Sequence, residues 1–192
     1  SLSLYGLAFL GLVASLPVSL PLALGVDAIR RKRLATCRLL FFLLVLLNYE
    51  AAGVIRAVIV WLRWGRHGNG HEERYLLENF RLECWWGSSV MLWTQRIYGF
   101  TIATRGAEHL ARGPYLLFPR HASVGDTVLW PLLVSRLHGI DLRYVVKEEL
   151  QWDPCLGIVG SRRHHVFVKR GSSDSSGEIA RVAQIGRDLG PG

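Results

Sequence analysis

A histidine and an aspartate lie five positions apart where an extended run leads into an apolar helix. The extended run is Tyr115–Phe118, and residues 119–126 after it read PRHASVGD. On a regular helix His121 and Asp126 would lie about 140° apart, too far round to touch. A pair therefore requires a loop, which Gly125 permits. An Asp that holds one ring nitrogen of a His fixes its tautomer and makes the other nitrogen a better base.

Two other interpretations of this segment stay open. The chain has seven His, so an Asp at this offset can arise by chance, and Asp126 alone can serve as a helix cap. Ser123 could be a nucleophile, although Ser, His and Asp packed this tightly do not have the geometry of a hydrolase triad. The spacing by itself does not decide among the three interpretations.

Two further blocks follow the first in a recognisable order. Residues 120–126 read RHASVGD, residues 147–150 read KEEL with Pro154 and Gly157 after them, and residues 166–170 read VFVKR. They resemble, in turn, the Asn-His-x-Ser-x-x-Asp, Lys-x-Glu-Leu and Phe-hydrophobic-x-Arg blocks of the glycerolipid acyltransferases, the lysophosphatidic acid acyltransferase family. The resemblance covers roughly the last half of the chain.

This resemblance implies an enzyme of phospholipid biosynthesis. It would move an acyl group from acyl-CoA or acyl-carrier protein to a hydroxyl of a lysophosphatidic acid-like lipid, with no metal or redox cofactor. His121 would be the general base and Asp126 would orient it, while Ser123 would be a supporting hydrogen-bond partner. Arg170, and after it Lys147, would bind the lipid phosphate, because guanidinium and ammonium groups are suited to phosphate oxygens.

The chain departs from the family pattern in two places. Arg120 stands where the family usually has Asn, which adds a charge close to the base and is expected to influence substrate choice. The family's Glu-Gly-Thr-Arg block is absent, and its expected place is soon after Asp188. Because the chain also starts at Ser1 and not Met, we expect it to be a piece of a longer protein. A non-catalytic lipid-binding relative is the alternative function, and a membrane-attached hydrolase that uses Ser123 is a third.

Two apolar stretches precede these blocks and predict a membrane protein. Residues 2–26 contain no charge, and about 20 apolar residues suffice to cross a bilayer. Residues 39–64 are also apolar but contain Glu50 and Arg56, so they form a poorer span. The basic cluster 30–38 lies between the two stretches, where it marks the cytoplasmic side and anionic head groups. A signal peptide would instead have its basic residues before the apolar run.

Membrane topology poses a problem for a catalytic domain that uses a cytoplasmic thioester. If both stretches crossed the bilayer, the domain would lie opposite the basic cluster. We therefore expect residues 2–26 to span and the second stretch to be re-entrant or interfacial, with the active site at the cytoplasmic face. A further span upstream of Ser1 is the alternative, since it would also change the count.

Composition excludes several classes of protein. The chain has 192 residues, 50% of them apolar and 20% charged, which excludes a disordered or low-complexity chain. Its three widely spaced Cys exclude a disulfide framework and offer no zinc-ligand spacing. The first 62 residues carry +4 (six basic minus two acidic) and the other 130 also carry +4 (17 minus 13), which makes the +8. A nucleic-acid-binding protein would gather its charge on a soluble face, whereas the densest cluster here lies between two apolar segments, so nucleic acid is the weaker interpretation.

The periodicity predicts an α/β fold with N-terminal membrane helices and a mixed central sheet flanked by helices. We divide the chain into a membrane anchor (1–64), a linker with an amphipathic or interfacial helix (65–97) and an acyltransferase domain (98–192). The helix over 75–98 is expected to be interrupted at Gly87. Strands are expected at 100–104, 114–118, 142–146 and 165–168, and helices at 127–137, 150–159 and from Ser175 onward, where Ser-x-x-Glu matches a capping box. The basic stretch 162–165 is expected to meet lipid head groups.

Overall fold

A computed structural model describes residues 2–31, 33–65, 71–112, 115–120, 126–169 and 175–188. The helices are α1 (Leu2–Ile29), α2 (Ala35–Val60), α3 (Glu72–Tyr98), α4 (Asp126–Trp130), α5 (Pro154–Arg162) and α6 (Ser175–Asp188). The strands are β1 (Val145–Lys147) and β2 (Val166–Val168). A π-helical turn extends α2 over Trp61–Gly65 and another extends α4 over Pro131–Arg136, and 3-10 turns lie at Ala107–Arg112 and Glu148–Trp152.

The first two helices form an apolar N-terminal hairpin. The described residues include two helices whose length and composition suit a membrane crossing, one over Ser3–Ile29 and one over Ala35–Gly65. Only 6% of the apolar window of the first is buried inside the protein, against 17% for the second. The length and composition of these two helices support membrane association, but they do not show which side of a membrane each end faces.

The turn between α1 and α2 is closed by one carboxylate. Asp27, near the end of α1, accepts hydrogen bonds from the backbone N–H groups of Thr36 (2.9 Å) and Cys37 (3.1 Å). These are N–H groups of the first turn of α2, which have no partner within their own helix. The carboxylate of one helix therefore caps the next and fixes where α2 begins.

The core lies where α2, α3 and α5 meet. Its buried members are Ala57 of α2, Leu82, Trp86 and Val90 of α3, and Cys155 and Val159 of α5. Gly53 on α2 allows this close contact, because a Cβ there would lie 2.5 Å from the Cys155 Sγ. The second apolar stretch is therefore packed along one side against the rest of the protein.

The sheet is smaller than the expected mixed sheet. In the part of the chain that the structure describes, it consists of β1 and β2, which run parallel with Val145 opposite Val166 and Lys147 opposite Val168. The strands expected at 100–104 and 114–118 do not form at 100–104 and 115–118. A strand requires a neighbouring strand to satisfy its backbone groups. Phe118 is 88% exposed, so among the described residues its side chain is not covered by another element.

The structure confirms the helices predicted after residue 126 and corrects one prediction within α3. Helices cover 126–136, most of 148–162 and 175–188, as the periodicity predicts. The interruption expected at Gly87 is wrong, because α3 is continuous from Glu72 to Tyr98. Gly87 is a contact point instead: a Cβ there would lie 2.8 Å from the Pro131 ring. In α6 the Glu178 carboxylate accepts from the Lys169 backbone N–H at 3.1 Å.

Candidate functional site

One face of α3 supports two of the three sequence blocks. Gly87 and Glu83 lie one helical turn apart, so their side chains share a face. Gly87 packs against Pro131, in the turn that extends α4, and Glu83 binds Arg163 and His165, which directly precede β2. The sequence separations are large, but the two contacts lie about 6 Å apart along the α3 axis.

The first of these contacts fixes the helix that Asp126 opens. Asp126 is the first residue of α4 and is half-buried. A carboxylate is favoured at a helix N-terminus by the exposed N–H groups and the helix dipole. Pro131 and Leu132, which follow α4, are buried. Because Pro131 packs on Gly87 of α3, this contact fixes the position of α4.

The second contact is a buried ionic cluster. The Arg163 Nε and the His165 Nε2 both lie 3.1 Å from the Glu83 Oε2, and all three residues are at most 7% exposed. Arg163 also donates to the carboxylate of Asp141. The Nδ1 of His165 accepts from the Tyr144 backbone N–H at 3.4 Å, so its Nε2 carries the proton that is donated to Glu83.

This cluster corrects the expectation for the basic stretch 162–165. Arg163 and His165 do not meet lipid head groups, because both are buried on Glu83. Arg162 donates to the backbone carbonyl of Ala57 at 2.8 Å and so contacts α2. A buried cation requires a carboxylate partner, and α3 supplies one that the local sequence does not show.

The ends of the two strands bring the second and third blocks together. Lys147, the last residue of β1, is exposed and lies opposite Val168, the last residue of β2. Lys169 follows Val168 directly, and Arg170 is the next residue. Ligands of open parallel sheets bind outside the carboxyl ends of the strands, and Lys147 and Lys169 lie at this end.

A polar cavity lies along β2, and its walls run from His165 before the strand to Lys169 after it. Its volume is about 410 Å³. Its charged lining residues are two cations, Lys169 and Arg181, and two carboxylates, Glu148 and Glu178, and the remaining lining comes from Gln151 and from His165, Val166 and Phe167. A second cavity of about 410 Å³ lies between β2 and α6 and is almost wholly apolar, with Val168, Ile179 and Val182 in its walls.

The predicted site residues are placed in part. Asp126 and Lys147 lie at the start of α4 and the end of β1, and Arg120 is exposed at the end of the run 115–120. His121, Ser123 and Arg170 lie outside the described residues. The pairing of His121 with Asp126 is therefore still a prediction from the spacing and the resemblance.

Burial keeps the thiols near this site in their neutral form. It raises the pKa of Cys84 to about 11 and also raises the pKa of Cys155. Because the thiolate is the nucleophilic form of Cys, neither side chain is a candidate nucleophile. Burial also raises the pKa of Asp153, whose Oδ1 accepts from the Leu156 N–H at 2.8 Å as the cap of α5.

Two buried acids were missed by the sequence reasoning. Glu50 of α2 accepts from the Trp86 Nε1 at 2.9 Å and from the Cys155 backbone N–H at 3.1 Å, and Glu83 binds the cluster described above. Each is a carboxylate within an otherwise apolar or Trp-rich helix. Such an acid requires a polar partner when it is buried. The sequence shows the acid within the helix, but it does not show which residue is the partner.

Comparison with known proteins gives one finding of similarity. Residues 101–188 match the family model described as Acyltransferase. The search of the curated proteins and the search of the solved structures find no match. The matched segment contains all three sequence blocks, the start of α4 and both strands.

Proposed function

We propose that this chain, whose residues 101–188 match the family model described as Acyltransferase, acylates a lysophosphatidic acid-like lipid. The acyl donor is acyl-CoA or acyl-carrier protein, and the acceptor is a hydroxyl of the lipid. The observation that carries the proposal is the HASVGD run, residues 121–126, within the matched segment. Its Asp126 opens a helix that is fixed on α3.

The proposed mechanism needs one base and one orienting carboxylate. His121 takes the proton from the acceptor hydroxyl while Asp126 holds the imidazole and stabilises its charged form. The acceptor oxygen then attacks the thioester carbonyl, the new ester bond forms and the carbon–sulfur bond breaks. The leaving thiolate takes the proton from the imidazolium of His121. Every atom is accounted for without an acyl-enzyme, so Ser123 has a supporting role only.

The acceptor phosphate requires fixed cations close to the base. We assign this role to Arg170 first and to Lys147 second, because their blocks converge at the carboxyl ends of the two parallel strands. The polar cavity along β2 has two further cations in its walls, Lys169, which adjoins Arg170 in the sequence, and Arg181, together with the carboxylates of Glu148 and Glu178. Arg120 would then influence the choice of acceptor through its additional charge beside the base.

A membrane setting follows from the chemistry of the proposed substrates. The acceptor lipid and the acyl product both reside in a bilayer, and the two apolar N-terminal helices suit attachment to one. We propose that the active site serves the cytoplasmic face, where acyl thioesters are found. Its partners are membrane lipids and the acyl donor, and it uses no nucleic acid.

The test is an acyl-transfer assay with a matched pair of His variants. In the purified full chain, His121→Ala should lower the transfer of labelled acyl groups from acyl-CoA to lysophosphatidic acid by about 10²–10⁴-fold. His138→Ala is the control, because this side chain is exposed in the same segment, beyond the helix that Asp126 opens. Equal rates in the wild-type chain and His121→Ala would refute the mechanism.

Two outcomes would identify the alternatives. Lysolipid binding without turnover in the wild-type chain would favour the non-catalytic relative, for which the replacement of the usual Asn by Arg120 is the specific support. Arg120→Asn would then be expected to restore turnover if that charge alone blocks it. A covalent adduct of Ser123 with a fluorophosphonate probe would indicate the hydrolase instead.

A further inference from the structure

Four exposed arginines crowd the turn between the two apolar helices. They are Arg30, Arg31, Arg33 and Arg38, which we call the arginine turn. Among the residues that the structure describes, none of the four lies within ion-pair distance of a carboxylate. The acid nearest in sequence, Asp27, is buried and accepts from the N-terminus of α2. The arginine turn therefore presents concentrated positive charge.

Apolar side chains flank the arginine turn on both sides. Ile29 is 85% exposed at the end of α1, and Leu39 is 50% exposed in the first turns of α2. Exposed apolar residues continue along both helices away from the turn, at Val26 and Phe41. A cationic turn between two apolar helices suits a bilayer surface, because the helices can contact the hydrocarbon while the arginines contact the phosphate head groups.

The path of the chain after α2 returns it to the arginine turn. At the far end of the hairpin the Arg74 guanidinium lies 5.4 Å from the Trp64 ring. At the near end the Tyr98 ring lies 5.9 Å from the ring of Phe42. Thus α3 runs antiparallel to α2 along most of its length. It ends beside Phe42, four residues or about 6 Å of helix from Arg38.

The acyltransferase segment begins three residues after α3 ends. Residue 101 follows Tyr98 closely, so the segment starts beside the arginine turn. Whether α2 and α3 together enter the bilayer or lie at its surface, the chain leaves the turn and comes back to it. This return path removes the topological conflict that two apolar spans alone would create.

We propose that the arginine turn binds anionic phospholipid head groups on the same side of the membrane as the acyltransferase segment. The proposal goes beyond acyl transfer and does not depend on it, since its readouts are binding and accessibility. It gives the turn a role apart from the catalytic site: it holds the chain to the leaflet surface from which a lipid acceptor would be taken.

Binding is tested by competition between two vesicle populations in one tube. The full chain is synthesised in a cell-free reaction with phosphatidylcholine vesicles and vesicles that also contain phosphatidylserine, and the two populations are separated by density. One basic residue near an anionic surface strengthens binding about fivefold. The four arginines together should favour the phosphatidylserine vesicles by about 10²–10³-fold at low salt, and less as salt rises.

Two sets of variants separate lipid binding from folding and from net charge. The quadruple change of the arginine turn to Gln should abolish most of the preference, and the same four changes to Lys should keep it. The matched control is R74Q/R81Q/R136Q/R187Q, which removes the same charge from exposed positions on α3, on the turn after α4 and on α6. An unchanged preference in the Gln variant, or equal losses in both Gln sets, would overturn the proposal.

Sidedness is tested by accessibility of introduced cysteines. Arg33→Cys in the turn and His138→Cys in the acyltransferase segment are made in separate chains whose three native Cys are replaced by Ala. Each chain is inserted into sealed vesicles and treated with a membrane-impermeant maleimide before and after permeabilisation. Labelling of both positions from the same side supports the proposal, and labelling from opposite sides refutes it.

Discussion

The contact between α2 and α5 yields a quantitative prediction. Gly53→Ala adds a Cβ that would lie 2.5 Å from the Cys155 Sγ and 3.3 Å from the Trp86 Cδ1. Because Cys155 is only 1% exposed, its sulfur has little room to move away. The substitution should therefore push α5 away from α2, the second helix of the apolar hairpin.

The magnitude follows from two opposing effects. Overpacking a close-packed core costs about 1–3 kcal/mol, while Ala in place of Gly within a helix stabilises by about 0.5–1 kcal/mol. We expect Gly53→Ala to destabilise the chain by about 1–2 kcal/mol. With Cys155→Ala the nearest atom is a Cβ at 3.2 Å, so in that background Gly53→Ala should be neutral or slightly stabilising.

A double-mutant cycle measures this difference. The four chains are unfolded by heat in detergent micelles while helicity is followed by circular dichroism, and we expect a coupling free energy of about 1–3 kcal/mol. Gly11→Ala is the control, because its new Cβ would meet nothing within 4 Å. Additive effects of Gly53→Ala and Cys155→Ala, within about 0.5 kcal/mol, would show that α2 and α5 do not touch at this point.

Three further predictions concern α3. Glu83→Ala removes a carboxylate partner of the buried Arg163, so the free energy of unfolding should fall by about 3 kcal/mol, as measured by denaturant titration. Gly87→Ala places a Cβ 2.8 Å from Pro131 and should displace α4. We expect it to lower kcat for the proposed acyl transfer about 10–100-fold. An unchanged kcat would show that the contact of Gly87 with Pro131 does not position Asp126. Because folding raises the pKa of Cys84 from 9.0 to about 11, the stabilising effect of its neutral thiol should be complete below about pH 9. This stabilisation is lost as the pH rises from about 9 through about 11. Because iodoacetamide reacts with the thiolate, its rate of modification of Cys84 in the folded chain should still be rising between about pH 9 and 11.

Local patterns were enough to predict most of the helices. The charge-free run of residues 2–26 required a long apolar helix, and α1 covers it. The Ser-x-x-Glu spacing at Ser175 marked the start of α6. These features depend on propensity and on periodicity within one element, which the sequence displays directly.

Contacts between distant elements could not be predicted in the same way. Gly87 looked like a helix interruption because a glycine lowers helix propensity, and only the position of Pro131 explains it. Arg163 and His165 looked like a surface charge cluster because their partner, Glu83, is 80 or more positions away. Sheet formation likewise depends on a neighbouring strand, so β-leaning composition at 100–104 was insufficient.

The two faces of α3 connect the apolar hairpin with the candidate site. Trp86 on one face donates to Glu50 of α2, and the adjacent face carries Glu83 and Gly87, which hold β2 and α4. Through these contacts α3 links α2 to the start of α4 and to the residues before β2. If α2 is attached to a bilayer, as we propose, this link would keep Asp126 and Lys147 at a fixed distance from the membrane surface. In a protein that acylates a lipid acceptor, this rigid link would hold the reacting groups at the depth of the acceptor hydroxyl.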